Sequence, residues 1–458
     1  MDIIIFGSGS AAEEALAQIS ESINIIAISD NDIKKWGTNW NGYRIAPPME
    51  LKESKYDFIL ICSMHTAEIL EGLLKMGINR EKIVPFFDNI DWFKKYRDQS
   101  EKEKLIRNII FPKRESKKIG LLSRRNSGCN CLALYRKTPT DIKKRFKVEL
   151  IDLEEYRRSW KEYEIIVTTH MESRNYKSEI NIETWHGFPL KALGAMVKNT
   201  DNLGNVDKGI DYIISYSNFY SYMISSVFNI DITKFNTTGM PRNDLLHSPK
   251  ASTFLSLLTG KKSEHKKVIY YIPTFRRREG VEYIEGDNIS NYGDELSIID
   301  QYLGSKDSIL LVKKHPFDAD LSIEQGYKHI YFVCDEDFKR LNIDFYETLD
   351  GSDLLITDYS SVYFDYLLLN KPLVFWTRDQ EQYENNRGFL FDNPETMMPG
   401  PNVKNVEDLI KAIDRFLVDD KWYSSERTHI KKMVHKYDDF DSSKRVWDLI
   451  ISKYEGKK

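Results

Sequence analysis

Leu354-Leu-Ile-Thr-Asp358-Tyr-Ser360-Ser361-Val-Tyr-Phe-Asp365-Tyr366 is the stretch on which the fold turns. It opens with an apolar run of the kind that forms a strand buried on both faces. A polar corner follows, then a helical pattern running to Asn370, where Lys371-Pro372 ends it. Leu373 to Trp376 reads as the next strand. Asp358, Ser360 and Ser361 therefore sit where a parallel strand hands over to a helix. The first N–H groups of a helix lack intrahelical partners and carry partial positive charge. Two adjacent serines add hydroxyl donors, so the corner suits a phosphate. Capping explains the same residues, because Asp and Ser are preferred ahead of helices. The choice depends on whether similar polar clusters recur at other strand ends.

They do recur. One set of strand-like runs begins at Ile119-Gly-Leu-Leu and continues with Glu164–Thr169, Asn181–Thr184, Tyr212–Tyr216 and Phe235–Thr238. Another begins at Lys267-Val-Ile-Tyr-Tyr-Ile and continues with Ile309–Lys313, His329–Phe332, Leu354–Thr357 and Leu373–Trp376. Helical patterns separate them. Two doubly wound sheets should face each other across a cleft, with ligands at the carboxyl ends of the strands. At those ends lie Trp185-His186-Gly187-Phe-Pro189, Pro273-Thr274-Phe-Arg276-Arg277-Arg278 and Lys313-Lys314-His315-Pro316. An imidazole exposed at a strand end suits a general base near neutrality, although a lone histidine is more often structural. Arginines present the forked donors that phosphate oxygens accept, or form a solvated edge. Four clusters rich in phosphate-binding residue types exceed what packing requires.

Residues 1–95 read as a small Rossmann-like domain. Strands are expected at Ile3–Phe6, Ile25–Ser29, Phe58–Ser63 and Lys82–Phe86, with helices at Glu13–Ser20 and Ala67–Met76. Its first turn, Gly7-Ser-Gly9-Ser-Ala-Ala12, fits G-x-G-x-x-A, and Asp30 follows the second strand where a ribose-binding acid would sit. Gly7, Gly9 and Asp30 are thus candidates for a nucleotide-sized ligand, though a tight βα turn needs glycines for packing alone. Residues 96–118 read as a linker helix. Its cations, with Trp92, Phe93 and Tyr96, suit a solvated helix or contact with anionic lipid heads. Residues 119–262 and 263–458 form the two larger lobes, the second ending in a helix over Ser442–Lys453.

At 458 residues the chain is too long for one core. Its net charge of −4 gives no reason to expect a nucleic-acid partner. The N-terminus enters a strand without a basic leader, and no apolar run approaches the ~18 residues of a membrane span. Cys129-Asn-Cys131 is too closely spaced for a structural zinc pair, and no other motif calls for a metal. The chain reads as cytosolic.

From about residue 119 onward the chain resembles the CDP-glycerol glycerophosphotransferase family of teichoic-acid primases, polymerases and capsule polymerases. The resemblance rests on Trp185-His186-Gly187-x-Pro189-x-Lys191-x-x-Gly194, Gly239-Met-Pro241-Arg242-Asn243-Asp244, Pro273-Thr274-x-Arg276, Lys314-His315-Pro316 and Thr357-Asp358-Tyr359-Ser360-Ser361. Arg387-Gly388-Phe, Pro399-Gly400-Pro401 and Ser443-x-Arg445-Val446 extend it. It implies a GT-B fold and transfer of a polyol phosphate from CDP-glycerol or CDP-ribitol, with CMP leaving. It also implies a lipid-linked glycan or polyol-phosphate acceptor, and a place on the cytoplasmic face of the cell membrane. His186 would be the base and His315 a second catalytic group. Arg276, Thr274, Lys314, Asp358, Ser360, Ser361 and Arg242 would hold the donor. No cofactor or metal is expected. Phe188 departs from the family, which often has Thr there, and is expected to affect acceptor choice. The competing readings are a GT-B glycosyltransferase using a nucleotide sugar and a non-catalytic binding protein.

Overall fold

A computed structural model describes residues 1–16, 19–63, 65–86, 105–106, 109–111, 117–125, 127–159, 163–172, 180–197, 209–248, 254, 256–257, 266–274, 293–313 and 326–457. Three six-stranded sheets follow one another along the chain. The first contains β1 (Asp2–Phe6), β2 (Asn24–Ser29), β3 (Asn39–Trp40), β4 (Tyr43–Ala46), β5 (Phe58–Ile61) and β6 (Ile83–Pro85), in the order β3-β4-β2-β1-β5-β6. Only the β3–β4 edge pair is antiparallel. Helices α1 (Ser10–Leu16) and α2 (Thr66–Lys75) follow β1 and β5.

The second sheet contains β7 (Lys118–Leu122), β8 (Lys147–Ile151), β9 (Ile165–Thr168), β10 (Ile180–Glu183), β11 (Tyr212–Ser215) and β12 (Phe235–Thr237). Its order is β12-β11-β10-β9-β7-β8, parallel throughout. Helix α3 (Asn130–Arg136) follows β7, and α4 (Asn218–Phe228) follows β11. The third sheet contains β13 (Lys267–Ile272), β14 (Ser308–Lys313), β15 (Ile330–Val333), β16 (Leu354–Thr357), β17 (Leu373–Trp376) and β18 (Asn402–Val403). Its order, β15-β14-β13-β16-β17-β18, is also parallel. The order reverses between β13 and β16, which marks the crevice where doubly wound sheets take ligands. After β16 come α5 (Val362–Tyr366) and a 3-10 turn that closes at Asn370 with φ +51°. The chain ends with α6 (Ser424–Val434) and α7 (Ser442–Gly456).

Burial explains the joints. Ile106, Ile110 and Phe111 are buried in one apolar cluster with Ile3 and Ile5 of the first sheet and Leu122, Ile151 and Ile166 of the second. Fully burying such a side chain is worth about 1.5–3 kcal/mol, so these residues fasten the small domain to the first lobe. The segment expected as a linker is thus partly core. Trp92, Phe93 and Tyr96 lie outside the described residues. Helix α7, last in sequence, packs on the first lobe: Trp447 Nε1–H donates to the Leu134 carbonyl at 3.2 Å and the Tyr454 hydroxyl to Glu164 at 2.5 Å. Asp244 accepts the Ser442 and Ser443 N–H groups at 2.8 and 2.6 Å, holding the start of α7 against the Gly239–Asp244 motif.

Candidate active site

The His186 loop leaves β10 under tight local control. Glu183, fully buried at the strand end, accepts the Trp185 N–H at 2.6 Å, the Met171 N–H at 3.0 Å and the Thr168 hydroxyl at 2.7 Å. Asn130 donates to the Trp185 carbonyl at 2.9 Å. These bonds hold Trp185 at φ +54°, a conformation an aromatic residue adopts only when its surroundings impose it. Past the histidine, the loop is stitched to the other lobe. Ala192 N–H donates to the Gly388 carbonyl at 3.0 Å, and Leu390 N–H to the Leu190 carbonyl at 2.9 Å.

Between the lobes this arrangement leaves a cleft of about 270 Å3. From the first lobe His186, Gly187, Arg125 and Arg242 line it; from the second come Thr274, Lys313, Ser360 and Ser361. Two strand ends supply Thr274 and the serines, β13 and β16, the pair at the switch point. Asp358 stands behind this wall, 2% exposed, and accepts the Thr274 N–H at 2.8 Å and the Tyr359 N–H at 2.6 Å. Expected as a donor ligand, it instead ties the two strand-end loops together. Ser361 occupies the N-cap position of α5 with helical dihedrals, and its side chain makes no capping bond. Capping therefore does not account for the hydroxyl.

His186 is held by its Nδ1–H, which donates to the Thr169 carbonyl at 3.3 Å. The neutral ring then carries its lone pair on Nε2. A second histidine, His170, stacks on it with ring centroids 4.3 Å apart and planes 11° apart. The Thr169 hydroxyl meets His170 Nδ1 at 2.7 Å, so one residue anchors both rings. Glu172 accepts the Thr169 and His170 N–H groups at 3.2 and 3.0 Å and pairs with Arg124 at 2.8 Å. The protein around His186 desolvates it, and that, with the charges of His170 and Arg125, lowers its pKa from the usual imidazole value. The residue is nonetheless exposed to the cleft. For His170, burial first and then the neighbouring arginines outweigh Glu172 and bring the pKa down to about 4.

Arg242, expected as a donor-binding cation, is committed to the protein. Its Nη2 pairs with Asp365 of the second lobe at 2.5 Å, and its Nη1 donates to the His186 carbonyl at 2.8 Å. The Tyr216 and Tyr346 hydroxyls also donate to Asp365, at 2.8 and 2.7 Å. Burial, with Asp365 alongside, raises both phenol pKa values and keeps these donors protonated. A buried ion pair needs such extra bonds to offset its desolvation. Arg242 thus joins the lobes and holds the His186 loop. Phe188, expected to affect acceptor choice, is fully buried at the border of the cleft with its ring 4.4 Å from Phe364 of the second lobe, so it also fastens the lobes.

Arg276, Lys314 and His315 lie outside the described residues. The described chain stops short of them at Thr274 and Lys313, both of which line the cleft. Gly7, Gly9 and Asp30 follow the carboxyl ends of the interior strands β1 and β2 of the first sheet, and none of them lines the cleft. Asp30 accepts the Ser8 N–H at 3.1 Å and hydroxyl at 2.5 Å and pairs with Lys35 at 3.1 Å, so its carboxylate is engaged without a ribose. A Cβ on Gly7 would stand 2.5 Å from the Cys62 carbonyl oxygen, so packing by itself requires glycine there. His170 and Arg125 escaped the sequence reading. The only signal was their position three residues past apolar runs, a place where polar residues are common.

Residues 135–452 match the family described as CDP-Glycerol:Poly(glycerophosphate) glycerophosphotransferase, and residues 1–84 match a C2185-like N-terminal family. The teichoic acid glycerol-phosphate transferase of Staphylococcus aureus (strain NCTC 8325 / PS 47) is 31% identical over 288 residues, covering 59% of this chain and 70% of that protein. The teichoic acid poly(ribitol-phosphate) polymerase of Bacillus spizizenii (strain ATCC 23059 / NRRL B-14472 / W23) is 34% identical over 233 residues, 49% of this chain and 34% of the polymerase. The chain therefore spans about a third of that polymerase. The solved structure of the wall teichoic acid polymerase TagF aligns with 81% of this chain and 100% of its own length, with a TM-score of 0.62 at 22% identity. The two facing lobes are accordingly a GT-B fold, preceded by a small Rossmann-like domain. The family match covers well over half of the chain and contains the cleft-lining residues His186, Arg242, Thr274, Ser360 and Ser361 from both lobes: this protein is a transferase and belongs to the CDP-glycerol:poly(glycerophosphate) glycerophosphotransferase family.

Proposed function

We propose that the chain transfers glycerol phosphate from CDP-glycerol to a hydroxyl of a teichoic-acid or capsular acceptor. The acceptor oxygen attacks the β-phosphorus, the bond from that phosphorus to the bridging oxygen breaks, and CMP leaves. His186 Nε2 takes the acceptor proton. Thr274, Ser360 and Ser361 hold phosphate oxygens, and Arg276, Lys314 and His315 neutralise the departing CMP. Little covalent help is needed, because phosphoryl transfer is driven by positioning and charge neutralisation. Cationic and hydroxyl groups supply both here, and the proposed reaction uses no metal and no cofactor.

One observation carries the reading: His186, held through Nδ1, opens into the cleft that Ser360 and Ser361 line from the opposite lobe. The S. aureus relative named for glycerol-phosphate transfer supports glycerol. The relative named for poly(ribitol-phosphate) supports ribitol as the second reading. An acceptor carried on a lipid would hold the enzyme at the cytoplasmic membrane surface; among the described residues no helix is long and apolar enough to cross a membrane.

Purified protein incubated with CDP-glycerol, CDP-ribitol or UDP-sugars, with acceptor present, tests the proposal by the nucleotide released and the mass of the product. CMP from CDP-glycerol, with acceptor gaining one glycerol phosphate, is the expected result. Turnover confined to UDP-sugars refutes it. Activity removed by EDTA and restored by magnesium would refute the metal-free mechanism.

A further inference from the structure

A second hollow, of about 550 Å3, opens where the N-terminus of α4 meets the turn after α6. We propose that this groove holds the phosphodiester backbone of the acceptor polymer, with Lys432 and Lys436 as its anion contacts. The inference rests on the polyol-phosphate reading above and extends it to a second site.

Charge carries the first part of the argument. Three lysines, 431, 432 and 436, line the groove against one carboxylate, Asp438, which Lys431 engages at 3.3 Å. Lys432 and Lys436 are exposed, and among the described residues neither has an ion pair. Two cations without an ion pair therefore share this hollow with a single carboxylate that Lys431 already engages. Helix α4 adds to them. Ser217 Oγ accepts the Tyr220 N–H at 3.3 Å, leaving the Asn218 and Phe219 N–H groups ahead of it without a helical partner. Asn218 and Thr237 supply side-chain groups for hydroxyls between phosphates.

Shape favours a chain over a membrane. A bilayer surface would reach the rim but not the floor of a hollow, and none of the exposed large apolar side chains lines it. A flexible polymer with one phosphate per repeat can enter. Location ties the groove to the reaction. Phe219 in its wall lies 6.0 Å, ring to ring, from Phe188, which borders the active cleft. Lys436 N–H donates at 2.9 Å to the carbonyl of Tyr216, whose hydroxyl is bound to Asp365 at the interlobe ion pair. One aromatic layer thus separates groove from cleft.

The test compares the full chain with Lys432→Glu/Lys436→Glu and with Lys432→Arg/Lys436→Arg. CMP release is followed with a short acceptor bearing a single polyol phosphate and with a long one bearing many. The glutamate variant should raise KM for the long acceptor roughly tenfold, two lost charge contacts becoming repulsive ones, and leave the short acceptor unchanged. The arginine variant should behave like the parent, and the parent's long-acceptor KM should rise with salt. An unchanged KM for the long acceptor overturns the inference. So does loss of binding to phosphatidylglycerol vesicles with that KM intact, which would make the groove a lipid contact. If the parent releases no CMP from either CDP-polyol, the functional reading fails instead; fluorescence anisotropy of labelled poly(glycerol phosphate) against the same variants then still decides the groove.

Discussion

Gly187 and Ser361 belong to opposite lobes, and a Cβ on Gly187 would stand 2.8 Å from the Ser361 Oγ and 3.1 Å from Arg242 Nη2. The two lobes thus meet at a point where only a hydrogen fits. Gly187→Ala should push them apart at the cleft, besides straining a residue at φ +150°. We expect a loss of roughly 1–3 kcal/mol in urea unfolding and a fall in kcat. Ser361→Ala in the same chain should return part of that stability. Strict additivity of the two changes would show that the close approach has no energetic weight.

Ser360→Ala with Ser361→Ala should raise the KM for CDP-glycerol more than it lowers kcat, because in the proposed mechanism the lost hydroxyls hold the donor in ground and transition states alike. The Ser361 side chain makes no capping bond at the helix start, so the melting temperature should hold. An unchanged donor KM would remove both serines from the site.

His186→Ala should cost roughly 10²–10⁴ in kcat, the usual contribution of a general base. His170→Asn makes a sharper test. Desolvation and the stacked neighbour lower the His186 pKa, so the base stays deprotonated and active below the usual imidazole value. Removing the ring of His170 should raise that pKa, moving the acid limb of the pH–rate profile upward. Activity at pH 6 relative to pH 8 should therefore fall. A limb that stays in place would mean that His170 does not tune the base.

Stability should carry the mark of His170 as well. Its folded pKa of about 4 lies below the unfolded value near 6.5, so the unfolded chain binds the extra proton first. Stability attributable to the group is complete above the unfolded value and is lost as pH falls from about 6.5 toward about 4. Denaturation midpoints across that window should decline less steeply in His170→Asn than in the parent. Parallel slopes would refute the assignment.

Asp365→Ala should destabilise by about 3–5 kcal/mol, since it leaves the Arg242 guanidinium buried without its counter-charge. Because Arg242 also holds the His186 carbonyl, kcat should fall more than donor affinity. Loss of stability without loss of turnover in the surviving folded protein would separate the ion pair from the chemistry.

Parallel strands with both faces covered write themselves as apolar runs, and Leu354–Thr357 and Leu373–Trp376 occupy the residues that pattern indicates. The half-exposed edges escaped: Asn39–Trp40, Tyr43–Ala46 and Lys147–Ile151 mix polar and apolar residues too evenly to stand out. At the site, motif position located His186 and the serines because strand ends are set by local sequence. The task of Arg242 was not legible. Its partner Asp365 lies 123 residues away, and nothing near either residue says that a cation in a phosphate-rich motif will meet a carboxylate instead of a ligand. His170 was hidden for a related reason: only the adjacency of β9 and β10 turns two separate histidines into a stack.

The bond from Arg242 to the His186 carbonyl makes the order of that loop depend on the second lobe. Any movement that parts the lobes withdraws Asp365 from Arg242, and Arg242 then loses its hold on the loop bearing His186. Under the proposed mechanism a donor caught in an open enzyme would meet no organised proton acceptor, and hydrolytic waste of an activated nucleotide would be discouraged by the same contact that assembles the cleft.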